Sequence, residues 1–139
     1  MGKKLFVFPL LALLLCTGLG AEKMEVNLEA TEEIRKVSAL EKLKDETGVV
    51  VLYARGLCCP SCAIGVRKMI SRLKFVDRKR FNKGVELDTK VQLVSVSILN
   101  GESPDLDALF EAIEEAGYDP VRMYELEVVR LKIRELGQS

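Results

Sequence analysis

No histidine occurs in the 139 residues, so the imidazole that most often binds metal ions or shuttles protons near neutral pH is missing. Catalysis built on a histidine base and mixed sulfur–imidazole metal sites are excluded together. Charge of either sign is not in excess, with 21 Lys and Arg against 21 Asp and Glu, which gives no general attraction to nucleic acid or anionic lipid. The apolar run at 5–15 is shorter than the roughly 20 residues needed to span a bilayer. With Lys3 and Lys4 before it and Gly18, Gly20 and Ala21 after it, residues 1–20 are expected to form an export signal, cleaved after Gly20 or Ala21. An uncleaved anchor is the alternative. Membrane contact is expected only through this segment. Leu15 before Cys16 disfavours lipidation, and loss of Cys16 with the signal would leave three of the four cysteines.

What is present is sulfur. GLCCPSC at 56–62 lies between the apolar run 49–54 and a helical pattern that starts near Ser61. Two cysteines separated by two residues, the second in the first helical turn, turn both sulfurs to one side. Free amides and the positive end of the helix dipole there favour thiolate over thiol at Cys59 and Cys62. Thiolates prefer soft cations over calcium or magnesium. On spacing alone the pair can be half of a structural zinc site, a redox dithiol or coincidence; a disulfide staple fits an oxidising compartment but not an exposed loop at a helix start.

The remaining elements follow from periodicity. Residues 21–47 read as a charged linker carrying an amphipathic helix over 31–46, with Ile34, Val37, Leu40 and Leu43 as its apolar stripe and Gly48 past its end. Such a helix packs on the domain, acts as a spacer, or binds a partner. Met24, Val26 and Leu28 alternate as in a short added strand. Residues 49–54 form a central strand. A helix over 61–74 turns Ala63, Val66, Ile70 and Leu73 inward. The segment 75–83 carries Arg78, Lys79 and Arg80, as a solvated loop or a patch for an acidic partner. Strands at 85–87 and 91–98 form a hairpin, whose alternation breaks between Leu93 and Val94 by a bulge or a change of exposed face. Ser103 as N-cap and Pro104 at the first helical position open a helix with Leu106, Leu109, Phe110 and Ile113 facing the sheet, ended by Gly117. A last strand covers 121–129, and residues 129–139 are a charged tail or strand extension. The expected fold is α+β: a ferredoxin-like βαββαβ sandwich, two helices on one face of a four-stranded antiparallel sheet, with the extra N-terminal amphipathic helix.

Gly56-Leu57-x-Cys59-Pro60-Ser61-Cys62-Ala63, followed by Val66, Ile70 and Leu73, resembles the G-M-x-C-x-x-C-A pattern of the heavy-metal-associated domain family, which includes copper chaperones and the periplasmic mercuric-ion-binding protein. EAIEEAGY at 111–118 is similar to that family's closing helix and Gly-aromatic turn. The resemblance covers about residues 48–128, with Leu57 standing where the family has Met and 75–83 longer than the family pattern. It implies a soft ion, Cu(I) or Hg(II) with Zn(II) the lesser fit, held on Cys59 and Cys62. It places Gly56, Leu57 and Tyr118 around the site, with Tyr118 shielding the sulfurs or only anchoring its turn. Cys58 falls at a variable position, as a bystander or a third ligand. The implied role is a metal-binding protein or metallochaperone, not an enzyme, passing its ion by ligand exchange to a metal-transporting membrane protein or another CxxC protein. The expected location is periplasmic or secreted. The rival is a thiol-disulfide oxidoreductase, against which stand the missing aromatic before the motif and the lack of a proline suited to a cis-proline loop.

Overall fold

The computed structural model describes residues 30–127 and 130–137. The export signal, Cys16, the alternation at Met24, Val26 and Leu28, residues 128–129 and the last two residues lie outside them. Eight elements follow in order: α1 (Glu32–Asp45), β1 (Val49–Arg55), α2 (Pro60–Ile70), β2 (Val85–Asp88), β3 (Leu93–Ser97), α3 (Leu106–Glu115), β4 (Asp119–Glu127) and β5 (Arg130–Glu135). The strands form one antiparallel sheet in the order β2-β3-β1-β4-β5.

The first four strands with α2 and α3 reproduce the expected βαββαβ order. The sheet has five strands, however, and not four. Residues 130–135, which had no assigned place, pair with β4 from Arg122↔Glu135 to Glu127↔Arg130. Leu131 and Ile133 of this edge strand pack against the core, and its alternating charged residues blunt the open edge.

α1 falls within the expected span, capped by Thr31, whose hydroxyl accepts from the Ile34 amide. Glu32 and Glu33 lie in the first turn, and Lys42 and Lys44 in the last, matching the helix dipole. Its inward face is not the expected stripe. Ile34 and Val37 are exposed, while Arg35 and Ala39 are buried and Leu43 packs against the core. The helix lies across the second face of the sheet, and its own rotation is set by the Arg35 contacts beneath it. Its C-cap is Glu46; Gly48, two residues on, takes the left-handed conformation at φ +65°.

Covering both faces explains the strand patterns. In β1, Leu52 and Ala54 join Val66, Ile70, Leu109, Ile113 and Met123 in the core under α2 and α3. Val51 and Tyr53 join Ala39, Val91, Leu93 and Tyr124 under α1. All five β3 residues are buried, so the broken alternation at Leu93 and Val94 needs neither a bulge nor a change of exposed face. The register is regular there, and the irregularity lies where β4 passes Tyr53 and Ala54.

Helix α3 starts later than expected. Asp105, not Ser103, is the N-cap, and its carboxylate accepts from the Ala108 amide at 3.1 Å. Pro104 therefore precedes the cap. In the segment 75–83, Arg78 and Lys79 are exposed, whereas Arg80 is tied down, donating to Thr47 O and to the Glu46 carboxylate at 2.7 Å each.

Candidate metal centre at the thiol loop

Strand β1 ends at Arg55, which pairs in register with Asp119 at the start of β4 and forms a 3.2 Å ion pair with it. The loop that leaves β1 is thereby held beside the turn that leaves α3. That turn is a Schellman closure: Tyr118 N–H donates to Ile113 O at 3.1 Å and Gly117 N–H to Glu114 O at 2.8 Å, with Gly117 at φ +91°. The closure delivers Tyr118, half-buried, against the opposite loop. Gly56 faces it at φ +87°, and a β-carbon at position 56 would stand 3.6 Å from Tyr118 Cδ1. Tyr118 and Cys62 both pack against the core under α2 and α3, and Leu57 is wholly buried in it.

From Leu57 the chain rises to the surface. Cys58 is exposed and carries a free thiol. Cys59 is the N-cap of α2, in extended conformation, with Pro60 at the first helical position. This moves the helix start ahead of the expected Ser61. The dipeptide Cys-Pro carried that information, because proline suits the first helical position and leaves the cap to the residue before it.

As N-cap, the Cys59 sulfur does what a serine or aspartate oxygen does elsewhere. It accepts from the Cys62 backbone amide, with N to Sγ at 3.2 Å, while Cys59 O accepts from the Ala63 amide at 3.3 Å. No acidic residue occupies the first turn of α2, so nothing opposes the positive end of its dipole at these sulfurs. Cys59 and Cys62 are half-buried, their Cα atoms 5.3 Å apart, and their sulfurs are joined as a disulfide. Among the described residues, no group of three or more Cys, His, Asp or Glu side chains stands gathered for a metal ion. Cys58 thus does not form a ready three-sulfur set with the pair.

The arrangement has two chemical states. Oxidised, it is a disulfide at a helix entrance. Reduced, it is a pair of adjacent sulfurs with one amide aimed at the first, suited to hold a thiophilic cation with open coordination.

No family model and no curated protein matches the chain. A solved structure does. The chain is similar to a copper transporter domain. That domain is Ccc2A of yeast, solved in solution in its apo and Cu(I)-loaded states, and it is 22% identical over 51% of this chain and 88% of its own, with a TM-score of 0.41.

Proposed function

We propose that this chain carries a thiophilic ion, Cu(I) or Hg(II), on the reduced sulfurs of Cys59 and Cys62 and passes it on by ligand exchange. The observation that carries this reading is the convergence of two half-buried sulfurs at the N-terminus of α2, with the Cys62 amide directed at the Cys59 sulfur. Loading first requires reduction. An external dithiol donates two electrons and two protons to the Cys59–Cys62 disulfide and itself leaves as a disulfide. The two thiols then release their protons as the ion binds. An incoming thiolate from a metal-transporting membrane protein or another CxxC protein displaces one sulfur, then the other, and no bond in an organic substrate changes.

Leu57, buried beneath the loop, and Tyr118, beside Gly56, are placed to hold the backbone that leads into the sulfurs. Cys58, exposed next to the pair, is available as a third ligand in such an exchange. Export to a periplasmic or extracellular space is supported by the residues at 3–21 and agrees with a disulfide-permitting compartment.

Anaerobic titration of the fully reduced protein with Cu(I), against a chromophoric chelator, tests the proposal. One ion per chain is expected, with binding lost in both Cys59→Ser and Cys62→Ser. A Cys58→Ser protein with unchanged affinity and coordination would remove Cys58 from the ligand set. The disulfide itself favours the second reading, a thiol-disulfide oxidoreductase. Insulin reduction by a wild-type protein that holds no Cu(I) or Hg(II) would establish that reading and sink the first.

A further inference from the structure

The chain is neutral overall, but its charges are sorted. From Pro60 to Gly84 it carries eight Lys and Arg and a single acid, Asp77; from Asn100 to Val121 it carries seven Asp and Glu and no base. These stretches contain α2 and α3, which pack side by side on one face of the sheet with Val66, Ile70, Leu109 and Ile113 turned inward.

The outward surfaces are therefore opposite in sign. On α2, Ile64, Arg67, Lys68 and Ser71 follow helical spacing along the solvent side, with Ile64 64% exposed. With Asn82 and Lys83 they line a groove of about 360 Å³ that contains no acidic residue. On α3, Asp107, Glu111, Glu114 and Glu115 form the corresponding outward stripe, all exposed. Several other charges are paired: Lys36 with Glu32, Arg55 with Asp119, Arg80 with Glu46, Arg122 with Glu135, Lys132 with Glu127. Among the described residues, none of the charged members of the two stripes is in an ion pair. Arg67 makes one long contact, to Val85 O at 3.5 Å.

We propose that this helical face is a self-complementary docking surface for a second copy of the chain, with α2 of each copy lying against α3 of the other. A second copy is the occupant because each stripe finds its complement on the same face of the same molecule, the condition for an isologous two-fold contact. A purely acidic partner would meet repulsion from α3, and a purely basic one from α2.

The charge pattern also selects the axis. The strands β1 and β4 are antiparallel, and Arg55 at the end of one pairs with Asp119 at the start of the other, so α2 begins where α3 ends. A two-fold axis parallel to the helices superposes α2 on α3 with the thiol loops of both copies at the same end. An axis across them would set like charge on like. The two helices, of 11 and 10 residues, then run antiparallel across the contact, Ile64 level with Glu111 and Lys68 with Asp107.

Sedimentation of the full chain carrying Cys16→Ser and Cys58→Ser, in its oxidised state, tests this without metal and without intermolecular disulfides, so the result does not depend on the proposed metal chemistry. We expect a dimer at about 20 mM salt whose dissociation constant rises about tenfold or more by about 500 mM. Lys68→Glu and Asp107→Lys should each give monomer under the low-salt condition, with unchanged circular dichroism because both side chains are exposed. The protein with both changes should recover the dimer. A wild-type face that stays monomeric at low salt, a dimer indifferent to salt and to both single changes, or a double variant that stays monomeric overturns the proposal.

Discussion

The two faces of the sheet are covered by different means. Under α2 and α3 the core is apolar throughout, from Leu52 and Val94 to Ile70, Ile113 and Met123, all fully or almost fully buried. Under α1 the apolar cluster is smaller and polar groups are built into it. Arg35, only 4% exposed, stacks 3.8 Å from the Tyr53 ring centroid and donates to Val91 O at 3.0 Å, to Ala30 O at 2.8 Å and to Gln92 Oε1 at 3.3 Å. α1 offers only Ala39 and Leu43 as inward apolar groups, and a long cation with an apolar stem fills what they leave. The side that bears the sulfurs therefore rests on close packing, which holds the loop through Leu57. The other side depends on directional bonds from one residue.

Removing apolar volume beneath α2 gives the largest expected effect. Ile70→Ala should cost about 2–5 kcal/mol in denaturant unfolding, because Ile70 is wholly enclosed. A cost under about 1 kcal/mol would mean that this face is not the tightly packed one. On the α1 face, Arg35→Ala should cost about 1.5–3 kcal/mol, since hydrogen bonds from a charged group are lost and the Val91 and Gln92 acceptors are left behind. Replacement by Met keeps much of the packing; recovery of full stability by Arg35→Met would show that volume, and not hydrogen bonding, is what this face requires.

The smallest effect is expected at Tyr124. Its hydroxyl is buried with no hydrogen-bond partner among the described residues. Burial raises its pKa above the ordinary phenol value, against the opposing pull of Arg35 and Arg122. A raised value in the folded state means that the neutral phenol is favoured by folding. Its contribution is complete below the unfolded value of about 10 and is lost as pH climbs through the folded one. Tyr124→Phe should change stability at pH 7 by less than about 1 kcal/mol and should flatten the alkaline loss seen in urea midpoints. A variant as sensitive to alkali as the wild type would assign that loss to other groups.

Legibility in the sequence followed the same division. On the α2 and α3 face, the positions of Ala63, Val66, Ile70, Leu109 and Ile113 could be read from helical spacing, because apolar residues mark a face that packs on other apolar residues. On the α1 face the same rule misled. Ile34 and Val37 are exposed there, and the residue that fixes the helix is an arginine, which no hydrophobic pattern singles out. β5 escaped because Leu131 and Ile133 are only two apolar residues among charges, and its pairing with β4 depends on a neighbour already in place. The start of α3 was misjudged by two residues because Ser103 and Asp105 are both good caps, and packing of Leu106 and Leu109 on the core selects between them.

At the site, the CxxC spacing and the proline after Cys59 were enough to put two sulfurs at a helix entrance, since both are local constraints on a few dihedral angles. What lies next to them was not local. The contact of Tyr118 with Gly56 requires β1 and β4 to pair in one particular register, across more than half the chain's described length. The same is true of the charged stripes: their signs are written in the residues, but only the packing of α2 beside α3 sets them on one surface. Short-range chemistry follows from the order of residues; long-range neighbours are chosen by which buried faces fit together.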